Sequence, residues 1–431
     1  MISGGKKFDV LVIGGGPAGL AAAALAAEHG ARVGIVDDNP NLGGQIWRAG
    51  VSGTNPDAVE WITRVRTSGV EVISGAKVFD APAPNRLHAE TPDGLLELAY
   101  EKLILATGAR ERFLPFPGWT LPNVMGAGAL QALVKAGFPT ESKRVVVAGT
   151  GPLLLAIAAY LREHGAEIVM VCEQASLSSL ATFGLSLLTR RQKVRQGLSI
   201  RKQLSGTRFA FGSWPVAAEG DEVLRSVVIA RGQRFEQVGC DFLACGFHLV
   251  PNTELPTRMG CRLQGAFVEV DDFQQTTVPG ILCAGEPTGI GGVELSLLEG
   301  QIAGCAAAGK QDACRKLFGH RQKLRKFAQA LDRTFALRSE LREIALPETI
   351  VCRCEDVTLG RLKQHGSWRA AKLQTRCGMG PCQGRICGPT TEFLCGWSPD
   401  STRPPIFPAR IENLGADLRH METEQTMRGT Q

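Results

Sequence analysis

Short apolar runs punctuated by glycine set the pattern of this chain from its start. Phe8-Asp9-Val10-Leu11-Val12-Ile13 is nearly all apolar, over a length suited to a strand buried on both faces. The run breaks at Gly14-Gly15-Gly16-Pro17-Ala18-Gly19, and an Ala-rich stretch of strong helix propensity follows from Leu20 to His29. Gly30 stops that helix, and Ala31 to Val36 reads as a second strand ending on Asp37. Residues 60–100 read as a helix and a meander of short strands, and Lys102 to Leu105 is a further buried strand closing on Ala106-Thr107-Gly108. Arg144 to Ala148, Gly149-Thr150-Gly151-Pro152-Leu153-Leu154, a helix to about His164, and Glu167 to Val171 leading to Glu173 repeat the opening pattern. From Phe242 the chain returns to the first domain. A short strand in Thr276 to Ala284 then ends in Gly285-Glu286, ahead of a helix from about Val293 to Ala308.

Strand, glycine turn, helix, second strand and terminal acid together form a dinucleotide-binding βαβ unit. Gly14 permits the tight turn, Gly16 lets backbone approach a pyrophosphate, and Gly19 brings helix and strand together. The helix N-terminus offers free N–H groups to phosphate. Asp37 can accept from a ribose 2′-OH, which favours FAD or NAD over a 2′-phosphorylated cofactor. Gly43-Gly44-Gln45 follows in a loop slim enough to run against a flavin face. In the second copy Leu154 stands where the third glycine belongs. Its side chain must wedge between helix and strand or push the helix away, leaving open whether Gly149, Gly151 and Glu173 serve a working nucleotide site or a structural relic.

Composition narrows the class. The chain has 431 residues, 44% hydrophobic and 21% charged, as expected of two or three globular domains. No secretory h-region precedes the first strand and no apolar run is long enough to span a bilayer, so a cytoplasmic location is expected. A net charge of +6 without a basic-aromatic motif reads as a solvated surface, not a nucleic-acid site. Residues 311–345 carry many Arg and Lys over Leu317, Leu324, Phe327, Leu331 and Phe335 at helical spacing, and read as an amphipathic linker helix with a solvated basic face.

The first 310 residues resemble the two-dinucleotide-binding-domain flavoproteins of the glutathione-reductase-like superfamily. The resemblance rests on Gly14 to Gly19 with Asp37, Ala106-Thr107-Gly108, Gly149 to Leu154, and Thr277 to Glu286. It implies an α/β fold with FAD in the first site, held at Gly14, Gly16, Pro17, Ala18, Gly19, Asp37, Gly44, Gln45, Ala106, Thr107, Gly108, Gly285 and Glu286. That superfamily usually has Gly-Asp where this chain has Gly285-Glu286. No CxxC stands in the first 300 residues, Cys240 and Cys245 read as core thiols, and no His–Glu base pair is evident, so no catalytic residue is assigned.

Six of the 13 cysteines fall between Cys352 and Cys395. Cys352-Arg353-Cys354 is followed, after 22 intervening residues, by Cys377-Gly-Met-Gly-Pro-Cys382-Gln-Gly-Arg-Ile-Cys387. A C-x-C ahead of a glycine-rich cysteine loop has metal-ligand spacing, for iron–sulfur or for zinc. Cys395, on an apolar stretch, reads as core. The segment resembles a BFD-type [2Fe–2S] domain, which implies ligation by Cys352, Cys354, Cys382 and Cys387. The generic motif has a small residue where Cys377 stands, which makes Cys377 an alternate ligand.

Together with Ser367 to Gly380 and Arg403 to Pro408, these features resemble the α subunits of multi-subunit bacterial dye-linked amine dehydrogenases. That group includes D-hydroxyproline dehydrogenase, opine oxidases, L-proline dehydrogenase and hydrogen cyanide synthase. The resemblance implies an FAD-binding domain (1–115 and 243–310), an NAD(P)-like second domain (116–242), a linker (311–345), a BFD-like domain (346–400), and an arm with a frayed tail (401–431). It further implies an amino-acid-oxidase-like β subunit that oxidises the substrate, a candidate small third [2Fe–2S] subunit, and peripheral contact with a membrane quinone. FMN, ATP or NAD are the candidates for the second site. A stand-alone NAD(P)H-dependent flavin oxidoreductase and a purely structural subunit remain as rivals.

Overall fold

The computed structural model describes residues 2–48, 55–187, 191–399 and 402–415. They divide into two compact units, one formed by the described residues within 1–109, 251–328 and 402–415, the other by those within 110–250 and 329–399.

The first unit is built on a sheet in the order Glu71–Ser74, Val33–Asp37, Ile2–Ile13, Gly94–Leu105, Arg86–Thr91, Lys77–Ala83. Ile281–Cys283 joins it in parallel beside Gly94–Leu105. The opening strand starts earlier than its apolar run, because Ser3, Lys6 and Lys7 pair along the long partner strand. Within that run the side chains divide by parity: Val10 and Val12 enter one core, Leu11 and Ile13 the other. Such burial on both faces is what a continuous apolar run requires. Helix Pro17–Glu28 crosses helix Gly292–Ala307 at close range. A Cβ on Gly300 would lie 2.1 Å from the Ala18 carbonyl oxygen, and one on Gly304 2.3 Å from that of Ala22. The arm docks here too: Ile406 N–H donates to the Phe79 carbonyl (2.8 Å), and Glu90 accepts from Arg410 N–H (2.7 Å) and Asn413 Nδ2 (2.6 Å).

The basic helix, Phe318–Thr334, departs from the expected solvated face. Lys323 and Lys326 are exposed, but Arg321 is 4% exposed, its guanidinium paired with Asp272, and Arg325 binds the buried Glu299. The apolar spacing alone could not reveal this, since the buried partners lie on other elements.

The second unit carries a parallel sheet in the order Arg208–Phe211, Glu167–Glu173, Arg144–Thr150, Phe242–Phe247, Val124–Gly126. An antiparallel sheet of Trp214–Glu219, Ser226–Arg231 and Arg234–Gly239 packs into one of its cores. The cysteine module belongs to this unit. It comprises a short ribbon, Ile350–Cys352 with Val357–Thr358, and helices Leu359–Lys363, Trp368–Thr375 and Cys387–Cys395. Thr358 and Ser367 cap the first two helices with their hydroxyls. Segment 110–119 seats the module. Trp119 Nε1 donates to Ile350 O (2.7 Å), Arg110 Nε to Arg385 O (3.0 Å), and Thr390 Oγ1 to Phe113 O (2.8 Å).

Candidate cofactor sites

In the first unit the glycine turn forms where strand Ile2–Ile13 meets helix Pro17–Glu28. Gly14 has φ +106°, and a Cβ there would lie 2.2 Å from the Ala106 carbonyl oxygen, so only glycine fits. A Cβ on Gly19 would lie 1.8 Å from Gly14 O, which explains the close seating of the helix. The Asp37 carboxylate is already anchored: Oδ2 accepts from Gly15 N–H (2.5 Å), and Oδ1 from Asn39 N–H (2.7 Å) and Nδ2 (2.8 Å). No acidic residue stands in the helix's first turn, leaving its N-terminus open to a phosphate.

The other candidates gather around this turn. A Cβ on Gly44 would lie 3.0 Å from Gly16 Cα, and Gly43 N–H donates to Gly15 O (2.8 Å). Gln45 is exposed and accepts from Arg48 (2.8 Å). Ala106-Thr107-Gly108 is clasped by Asn252: its N–H donates to Gly108 O (2.9 Å), its Nδ2 to Thr107 O (2.8 Å), and its carbonyl accepts from Thr107 Oγ1 (2.6 Å). Gly285, at φ +80°, brings Glu286 to the start of the same helix, since a Cβ on Gly285 would lie 2.8 Å from Ala18 Cβ. Burial pushes the Glu286 carboxyl up. Backbone brought to close range, an open helix N-terminus and an acid at the second strand's end fit a dinucleotide such as FAD.

Beneath the Gly285–Thr288 turn lies a polar network that pattern reading missed. Glu299, 1% exposed, accepts through Oε2 from Gly285 N–H (3.1 Å) and Thr288 Oγ1 (2.9 Å). Its Oε1 takes two bonds from Arg325, from Nε at 3.0 Å and Nη2 at 2.8 Å. Gln274 joins Arg325 (3.1 Å) to the Cys283 carbonyl (2.9 Å). The available signal was a lone charged residue inside the mostly apolar run Leu295 to Ala308.

The second turn differs in detail. Gly149, at φ +140°, approaches Gly246 as Gly14 approaches Ala106. Gly151 has φ +96°, where Gly16 has −76°. Leu154 wedges into the core beside Val145, Val147 and Ala244, and its Cδ2 would lie 3.6 Å from a Cβ on Gly246. The glycine opposite makes the room. Leu154 N–H bonds three residues back to Gly151 O (3.1 Å), whereas Leu20 bonds four back to Gly16 O (2.9 Å), so the second helix starts in a tighter turn. Glu173 accepts from Gly151 N–H (2.7 Å), Thr150 Oγ1 (2.9 Å) and Ala175 N–H (2.8 Å), and burial pushes its carboxyl up.

The cysteines fall into a trio and a pair. The Cys352, Cys377 and Cys387 sulfurs lie within 4.8 Å of one another, all buried. Hydrogen bonds from the Cys377 and Cys387 thiols and from the Gly378 and Glu355 N–H groups hold Cys352 well below the usual thiol range. Cys354, exposed, lies against Cys382, whose N–H reaches its sulfur. A Cβ on Gly380 would lie 2.2 Å from Cys354 Cβ, so the loop needs glycine to close. The structure thus brings Cys377, the expected alternate, together with Cys352 and Cys387, and sets the expected ligands Cys354 and Cys382 apart as a pair; such clustered thiols on glycine-rich backbone fit a thiolate-bound metal site. Cys395 packs in the module's core.

Residues 8–311 match the family model described as pyridine nucleotide-disulphide oxidoreductase. The chain is 32% identical to an opine oxidase subunit of Agrobacterium tumefaciens, covering 96% of this chain and 92% of that one. It is 30% identical to the HcnB subunit of hydrogen cyanide synthase from Pseudomonas protegens, over 88% and 90% respectively. Among solved structures, L-proline dehydrogenase from P. horikoshii superposes with a TM-score of 0.70 at 19% identity, over 96% of this chain and 80% of that one. T. acidophilum thioredoxin reductase gives 0.55 at 18% identity, over 71% of this chain and 99% of that one. Among the described residues no helix is long and apolar enough to cross a membrane. With the family model covering most of its length, and relatives of this identity matched nearly end to end, the chain is an oxidoreductase belonging to the pyridine nucleotide-disulphide oxidoreductase family of FAD-type flavoproteins.

Proposed function

We propose that this chain is the electron-transfer α subunit of a hetero-oligomeric dehydrogenase acting on a secondary amine or amino acid, with D-hydroxyproline or an opine as leading substrates. The β subunit, of amino-acid-oxidase type, oxidises the substrate. This chain carries electrons onward to a quinone or dye-like acceptor, with a small third [2Fe–2S] subunit, plus peripheral membrane contact, as further expected features. Bound FAD and a [2Fe–2S] cluster supply the electron-accepting chemistry. The helix N-terminus at Pro17-Ala18-Gly19 binds the pyrophosphate, Asp37 the adenosine ribose, and Glu286 a ribityl hydroxyl. Cys352 and Cys354 with Cys382 and Cys387 hold the cluster, and Cys377 stands within reach as alternate.

The observation that carries this reading is a buried trio of thiols with a neighbouring pair in one glycine-rich module that follows an FAD-type fold in the chain. Support comes from relatives matched over nearly their whole length that are named as subunits of an oxidase and a synthase. Iron, acid-labile sulfide, zinc and flavin analysis of the purified chain tests it. Flavin with matched iron and sulfide is expected. Zinc without sulfide would end the electron-transfer reading.

A further inference from the structure

A dinucleotide on an open α/β sheet lies across the carboxyl ends of its central strands. In the second unit those ends are marked by Thr150, which closes Arg144–Thr150, Gln174, which follows Glu167–Glu173, and His248, which follows Phe242–Phe247. These three adjacent strands form the middle of the sheet. All three side chains converge on one backbone carbonyl outside the nucleotide-binding fold, that of Phe335. His248 Nε2 donates to it at 2.8 Å, Thr150 Oγ1 lies 3.2 Å away and shares its one proton between this carbonyl and Glu173, and Gln174 Nε2 lies 3.4 Å away. Gln174, fully buried, also donates to Ala336 O (3.2 Å) and accepts from Arg338 N–H (3.2 Å). The Phe335 ring is buried and meets Phe183 edge-on, with centroids 5.7 Å apart.

We propose that the segment Phe335–Arg338 is the resident occupant of the second nucleotide-binding crevice, a strap that replaces a dinucleotide. The bonding is saturated in the way a ligand would saturate it. The Gln174 amide is committed on both sides, its Nε2 to Thr150 and Ala336 and its Oε1 to Arg338 N–H, and the Thr150 hydroxyl is held between Glu173, Gln174 and the strap. A nucleotide entering here must break the strap's bonds, taking from the buried Gln174 amide its Ala336 acceptor and its Arg338 donor, and from His248 its Phe335 acceptor. Because the strap is part of the chain, it competes at the effective concentration of a tethered ligand. Just beyond it, Leu341 and Ile344 enter the core under the sheet, and the chain runs on to Cys352. The second nucleotide fold thereby becomes the mount of the cysteine module, and NADH is excluded as the flavin's electron source. The strap depends on the second fold alone, and stands whether or not the module holds a cluster.

The test uses the FAD-loaded full chain under anaerobic conditions. NADH and NADPH are added while flavin absorbance is followed, and NADH, ATP and FMN binding is measured by equilibrium dialysis, with amide exchange at Phe335–Arg338 read in parallel. Expected is no bleaching by either nucleotide but full bleaching by dithionite, no saturable nucleotide binding, and slow exchange at Arg338. A Gln174→Ala, Phe335→Gly double variant should release the strap, speed exchange at Arg338 and raise nucleotide binding at least about tenfold. Bleaching or nucleotide binding by the unaltered chain overturns the proposal, with or without loss of strap protection. So does a folded variant with a released strap and no gain in binding. Should the variant fail to fold, the unaltered chain decides.

Discussion

Replacing Arg325 with Met tests the network beneath the Gly285–Thr288 turn. The substitution keeps the stem but removes both bonds to Glu299 Oε1, at 3.0 and 2.8 Å, and the one to Gln274. Glu299 keeps Gly285 N–H and Thr288 Oγ1, both on Oε2, so the buried Oε1 is stripped of its charge partner. Breaking a buried pair costs about 3–5 kcal/mol, and a side chain one-third exposed admits some water, which places the loss near about 2–3 kcal/mol. For a unit of this size that lowers Tm by roughly 4–12 °C. Because Glu299 holds the turn that carries Glu286, FAD should also bind about tenfold more weakly. Adding Glu299→Gln removes the stranded charge and keeps an acceptor for the turn, so the double variant should recover most of the lost Tm. Thermal melts and flavin-fluorescence titrations measure both. If Arg325→Met melts within about 1 °C of the unaltered chain, or Glu299→Gln gives no recovery, the network does not hold the turn.

Glu111 accepts from Gly128 N–H (2.6 Å) and Ala129 N–H (3.3 Å), and burial pushes its carboxyl above the ordinary 4.5. Its folded form therefore holds the proton more tightly than the unfolded chain, and stability falls as pH rises from 4.5 through the folded value. Glu111→Gln should stabilise at pH 8 and lose that advantage below about pH 4.5, as melts across pH would show. Gly300→Val would force a Cβ to 2.1 Å from Ala18 O, cost about 1–3 kcal/mol or more by overpacking, and release FAD on gel filtration. Cys352→Ser should abolish bound iron, whereas Cys395→Ser should leave iron content unchanged.

The pattern of apolar runs and glycines made the α/β fold legible because both are local: Gly14 must turn where a Cβ has no room, and Val10 to Ile13 must be covered twice. Asp37 was legible for the same reason, standing at the strand end that faces the turn. The consequence of Leu154 was only half legible. Its wedging was foreseeable, but the space opposite comes from Gly246, 92 residues away. The basic run of the helix Phe318–Thr334 was misread because charge suggests solvent, while Arg321 and Arg325 answer buried acceptors on distant segments. The strap was invisible because it acts mainly through backbone, at a carbonyl that any residue could supply. The cysteine spacing pointed to thiolate chemistry, but the partition into a buried trio and a surface pair depends on how the Gly378–Gly384 loop folds back.

The most direct test of the electron-transfer reading is an anaerobic reductive titration of the purified chain with dithionite, followed by absorption and by electron paramagnetic resonance. Expected are more electrons taken up per chain than flavin alone accepts, with a signal of a reduced [2Fe–2S] cluster that is lost in Cys352→Ser. Uptake matching the flavin alone, with no paramagnetic iron signal, would contradict that reading.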